Sequence, residues 1–170
     1  MNPVAAMFVK KLNAMISATH LHAMLVHFPI ALLLAGFLSD LLALVTKKPF
    51  FKTAALYLLV LGTLGAVAAY LSGDAAGEGM DEETGLGRAL NTHENAALLT
   101  LIISIAAAAF RVVITATKFQ PKWGYLASVI LFALVIASVT RTGYYGGELV
   151  YKHGAGVQLE ISLTPDAGEE

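Results

Sequence analysis

Residues 53–72 read TAALYLLVLGTLGAVAAYLS, twenty positions without one charged side chain. An α-helix rises about 1.5 Å per residue, so a run of this length covers about 30 Å, the thickness of the hydrocarbon core of a bilayer. In lipid every backbone N–H and C=O must be paired within the segment, and a helix does that without help. Small residues such as Gly62, Gly65 and Ala69 let a neighbouring helix come close. This stretch therefore reads as a membrane span.

Working outward, three more segments read the same way. The four spans cover about 21–46, 53–72, 93–117 and 123–145. The first meets Asp40 late, the third Arg111 late and the fourth Arg141 late. Of the 170 residues, 57% are hydrophobic and only 14% charged, where a soluble domain carries about a quarter. Net charge is −1, which suggests no nucleic-acid partner. There is no cysteine, so disulfides, thiolate zinc sites, iron–sulfur clusters and covalent c-type haem attachment all fall away. The expectation is an all-α integral membrane four-helix bundle over 21–153. An amphipathic, interfacial N-terminal segment (1–20) precedes it, and a strand-like extramembrane tail (154–170) follows.

The connections sort by side. KKPFFK (47–52) and KFQPKW (118–123) are short, basic and aromatic, as interfacial turns are. The other side holds the amino terminus, the loop 73–92 and the tail, with eleven of the twelve acids. Positive-inside counting puts the basic turns in the cytoplasm. The chain is then a multi-pass protein of the bacterial inner membrane, with both termini on the outer side.

On this topology all five histidines, His20, His22, His27, His93 and His153, share the outer side with Glu94, Glu148, Asp74 and Arg141. His22 and His27 lie about 140° apart on one helix and do not face a common ligand, whereas His20 and His27 do. Pro29 disfavours helix just before it, or else serves as a first-turn proline of a helix opening near His27. Asn91 with Glu94 reads as a capping box opening the third span, which would put His93 in the first helical turn. Asp40 and Arg111 fall near the inner ends of spans one and three and read as a structural ion pair. Arg141 is placed to meet a carboxylate or an anionic group such as a haem propionate. The glycines of RTGYYGGELVYKHGAGV (141–157) read as a helix end unwinding towards the tail.

The segments LHAMLVHFPIALLL and GGELVYKHGAGV, with the His93–Glu94 pair between them, carry a likeness. The chain resembles a family of bacterial integral membrane proteins of four helices and no settled activity. In it, His-Pro-x-x-Val-His-Phe-Pro precedes the first helix and Gly-Gly-x-Leu-Val-Tyr-x-His-Gly-x-Gly-Val follows the last. Ala23 stands where that pattern has proline. The resemblance implies a membrane domain sometimes found beside c-type cytochrome modules. It marks His22, His27, His93 and His153 as the recurring histidines.

Three functions remain. One is a b-type cytochrome-like module holding haem b between helices one and three. His27 and His93 are the first ligand pair, His22 or His153 the substitutes, and Arg141 the propionate partner. It would exchange electrons with a c-type cytochrome or another respiratory-chain protein. The second is a zinc or copper site built from His27, His93, Glu94 and Glu148. The third is a non-catalytic membrane subunit or assembly partner, with homo-oligomers allowed. No motif of an enzyme with a defined substrate is present, and the chain is not expected to be an enzyme by itself.

Overall fold

The structure is a computed structural model that describes residues 17–117 and 122–157. Five helices run in order: α1 (Ala18–Leu25), α2 (His27–Thr46), α3 (Pro49–Gly77), α4 (Gly85–Ala116) and α5 (Lys122–His153). With α1 and α2 taken as one span, four segments are long and apolar enough to cross a membrane. The described residues include no strand. The expected strand-like tail and most of the N-terminal lead-in lie outside the described residues.

Local chemistry sets the helix ends. The Ser17 hydroxyl caps α1 by accepting from the His20 N–H at 3.1 Å. Pro29 has no N–H to give the carbonyl four residues back, and the helix breaks at Val26, between α1 and α2. Lys47 closes α2 in the left-handed region (φ 57°), and Pro49 opens α3 in its first turn. Thr84 caps α4, accepting from the Gly87 N–H at 2.9 Å. Gly154 (φ 65°) ends α5, its amide and that of Ala155 donating to the carbonyls of Val150 and Leu149.

Three sequence expectations need correction. α4 begins at Gly85, two turns before residue 93, because Thr84 supplies the cap. Asn91 is therefore an interior helical residue, where its side chain accepts from Asn95, and the capping box with Glu94 does not form. α3 continues to Gly77, and α5 continues through Gly143, Gly146 and Gly147 to His153. Packing against neighbours outweighs the roughly 1 kcal/mol helix penalty of each glycine.

The spans close a ring, α2 on α3, α3 on α4, α4 on α5 and α5 back on α2. Its middle is a dry layer of Leu33, Leu59, Ala107, Ala108, Phe132 and Val135, all buried. In this layer Gly36 and Gly62 permit close approach of the helices. A Cβ on Gly36 would meet Phe132 Cζ at 2.9 Å, and one on Gly62 would meet Leu33 Cγ at 2.7 Å.

The two helical hairpins also correspond to each other. Pro29, Leu33, Gly36 and Asp40, buried on α2, each have a buried counterpart 71 positions later on α4: Thr100, Ser104, Ala107 and Arg111. Ala55, Leu59 and Gly62, buried on α3, recur 73 positions later on α5 as Ser128, Phe132 and Val135, also buried. Counterparts that touch must lie on the axis relating the halves, and Asp40 touches Arg111. The guanidinium donates to both carboxylate oxygens, at 3.1 and 2.5 Å, with both side chains essentially unexposed. The Tyr125 hydroxyl adds a third bond to Asp40 at 3.0 Å.

Candidate functional site

The other pair of axial counterparts is His22 and His93, again 71 positions apart. They stand 18 residues from Asp40 and Arg111 respectively, about 27 Å away along a helix, close to the thickness of the hydrocarbon core. The ion pair and the histidines therefore occupy opposite ends of the bundle, with the dry layer between. At the histidine end a cavity of about 850 Å³ opens among α1, α2, α3, α4 and α5, lined mainly by Ala, Leu, Val and Ile. Cavities of about 300–1,000 Å³ with apolar walls and a few convergent polar groups are the usual form of a small-molecule site.

The imidazoles of His22 and His93 are half-buried in its wall, their ring centroids 6.4 Å apart and their planes at 81°. Each ring is tethered through Nδ1. His93 Nδ1 lies 3.2 Å from the Thr142 carbonyl oxygen. A carbonyl only accepts, so His93 carries its proton on Nδ1. His22 Nδ1 lies 3.0 Å from Ser72 Oγ, and that hydroxyl gives its own proton to the Ala69 carbonyl at 2.9 Å. Ser72 therefore accepts from His22, which is also an Nδ1–H tautomer. Both rings keep Nε2 as a lone-pair nitrogen, the atom that ligates metals.

Below His93, Thr100 Oγ1 donates to the Ala96 carbonyl at 2.9 Å and accepts from Ser138 and Thr142 hydroxyls at 2.6 and 2.8 Å. This hydroxyl cluster ties α4 to α5 two turns along α4 from His93 and holds Thr142 in place.

The remaining candidates divide. His20, His27, Asp74 and Glu94 also line the cavity. His22 and His27 lie on either side of the break at Val26, whose own backbone dihedrals remain helical (φ −62°, ψ −25°). His27 is exposed, and its Nδ1 returns to the Ala23 carbonyl at 2.6 Å. Glu94 faces both this cavity and a smaller polar pocket bordered by Glu82 and Asn91. His153, Glu148 and Arg141 lie outside the cavity lining. His153 ends α5 beside Gly85, Glu148 pairs with Lys152 and accepts from Tyr144, and Arg141 lies over the Tyr145 ring at 5.2 Å. The geometry thus joins His93 to His22, where the sequence expectation paired it first with His27. Among the described residues no group of three or more His, Cys, Asp or Glu side chains gathers as a metal cluster.

Of the residues against which the two rings rest, Gly146 stands among the glycines of 141–157 that the sequence singles out, whereas Ser72, Gly73 and Thr142 escape notice there. The signal that finds Gly73 is the repeat itself: it lies 73 positions before Gly146, as the buried residues of α3 and α5 are spaced.

No curated protein and no solved structure matches the chain. One family profile does, over residues 18–159, from the helix that carries His22 to just past the end of α5. The chain belongs to that family, described as predicted membrane protein (DUF2231).

Proposed function

We propose that this protein is a membrane-embedded electron-transfer module that holds haem b between His22 and His93. One observation carries the reading: two Nδ1-tethered imidazoles, 6.4 Å apart between centroids, in the wall of one apolar cavity. Metal–imidazole bonds run about 2.0–2.1 Å, so two imidazoles on opposite sides of one metal have centroids on the order of 6 Å apart, against on the order of 5 Å at a tetrahedral angle. The spacing would allow one metal ion to stand between the two imidazoles, as a haem held by two histidines requires. It is less suited to zinc or copper in a tetrahedral site, for which the cavity would also have to supply further ligands. A porphyrin presents equivalent faces to two imidazoles related by a bundle axis, and apolar walls suit its macrocycle.

Haem supplies one-electron redox chemistry set by axial ligands and surroundings. The chain's own residues orient the ligands through Ser72 and Thr142, exclude water with the apolar walls, and bring His20 and His27 to the cavity as partners for propionates. Arg141, away from the cavity, has no part in that. The inner membrane with termini outward is the location this reading takes, and a c-type cytochrome or another respiratory-chain protein meeting the histidine end is its partner.

The test is an optical spectrum of the protein purified in detergent, before and after haem addition. A low-spin spectrum with a Soret band is expected, lost in His22→Ala and in His93→Ala and kept in His27→Ala. Absence of haem in the wild type after addition refutes the proposal. Zinc or copper found by elemental analysis, and lost in the His22 and His93 variants, would replace it with the metal reading.

A further inference from the structure

The two imidazoles are seated in the same way on two different helices. In an α-helix each Cα–Cβ bond tilts towards the N-terminus, so a side chain covers the turn before its own Cα. The residue four positions after a carbonyl is thus the one that screens it from outside. Four positions after Thr142 stands Gly146, and four positions after Ala69 stands Gly73. A Cβ on Gly146 would meet His93 at 3.2 Å from Cε1 and 3.5 Å from Nδ1. A Cβ on Gly73 would meet His22 at 2.9 Å from Cε1, 3.3 Å from Nδ1 and 3.5 Å from Nε2. His93 lies with its Nδ1–Cε1 edge, and His22 with its Cε1 end, against a helix surface that only glycine leaves open.

We infer that Gly73 and Gly146 are the positioning residues of the histidine pair. Each bares a helix carbonyl, Ala69 or Thr142, so that an Nδ1–H is drawn to it and Nε2 is left as the lone-pair nitrogen. The two seats differ in one respect: His22 also has the Ser72 hydroxyl, itself bonded to the Ala69 carbonyl, against its Nδ1. The consequence for ligand binding rests on the haem reading above; the seating of the rings does not.

Alanine at either glycine is a clean probe. The atoms in its way belong to the far end of a histidine side chain, so the ring gives way and the helix keeps its course. At Gly62, by contrast, the obstacle is the buried Leu33. Gly147, the next residue after Gly146, lies outside the cavity lining, and a Cβ there would find nothing closer than a Tyr151 ring carbon at 4.0 Å. Gly147→Ala therefore serves as the control.

The experiment is ¹⁵N NMR of histidine-labelled, cofactor-free protein in nanodiscs, followed by haem titration of the same samples. Wild type is expected to show His22 and His93 locked as Nδ1–H tautomers. Gly73→Ala should release His22 alone and Gly146→Ala His93 alone, each weakening haem binding by about 10–100-fold, as loss of an outer-shell partner does. Gly147→Ala should match wild type. Wild-type tautomers in both alanine variants, or an equal change in Gly147→Ala, overturn the inference. If the tautomers respond as expected but no sample takes up haem, the positioning role stands and the haem proposal falls.

Discussion

Removing Asp40 should damage the fold more than removing Arg111, although the two form a single ion pair. In the intact protein the carboxylate accepts three hydrogen bonds, two from the Arg111 guanidinium and one from Tyr125. Arg111 is 1% exposed, and its Nε already lacks a partner. Breaking a buried pair by deleting one member costs about 3–5 kcal/mol, because the other charge is left uncompensated. In Arg111→Ala the stranded group is a carboxyl that keeps the Tyr125 bond and can shed its charge by taking up a proton, which places the loss near the lower figure. In Asp40→Ala the stranded group is a guanidinium, which stays charged, and the loss lies near the upper figure. The difference of about 2 kcal/mol is more than tenfold in the unfolding equilibrium. Because the two positions are counterparts across the bundle axis, Asp40→Arg with Arg111→Asp should recover much of what either single change loses, though the Tyr125 hydroxyl then faces the wrong partner. Reversible unfolding in detergent or bicelles, followed by near-ultraviolet circular dichroism, measures the series. An Arg111→Ala loss equal to or larger than that of Asp40→Ala, or single variants indistinguishable from wild type, would refute the argument.

Gly62→Ala and Gly36→Ala should each destabilise by about 1–3 kcal/mol through overpacking against Leu33 and Phe132, read in the same unfolding assay. Thr100→Val removes the shared acceptor of the Ser138 and Thr142 hydroxyls. It is expected to cost about 0.6–1.7 kcal/mol, the range measured for hydrogen bonds between membrane helices, and to broaden the His93 NMR signal because Thr142 holds that ring. Pro29→Ala restores the N–H missing between α1 and α2. It should join them into one continuous helix, which spin-label distances between the exposed positions 21 and 34, on either side of the break, would record; an unchanged distance counts against proline as the cause of the break.

Four spans were legible in the sequence because lipid makes a simple demand, about twenty mostly apolar residues per crossing, and residues 53–72 meet it without one charge. The ends of the helices were not. Gly143, Gly146 and Gly147 read as a helix end, yet all lie within α5, since the helix as a whole decides more than the propensity of single residues. The gathering of histidines at one end could be read from topology alone. Which histidine faces His93 could not, because spacing along a helix tells which residues share a face but not which face turns towards α4. The seats of the rings were invisible for a different reason: a glycine announces open space, but not what will fill it.

The correspondence between the halves bears on what single-chain construction makes available. In a homodimer, any residue on the two-fold axis meets its own copy, so a charge there meets a like charge. Joining the two hairpins in one polypeptide lifts that restriction, and one position is free to be Asp on one side and Arg on the other. The axis of this bundle uses both options. It stays even-handed at the end where two imidazoles meet, and breaks its symmetry at the end where attraction is needed. A lone hairpin pairing with its twin would bring Asp40 against Asp40, or Arg111 against Arg111. The ion pair is therefore a key that lets each half recognise the other and refuse itself.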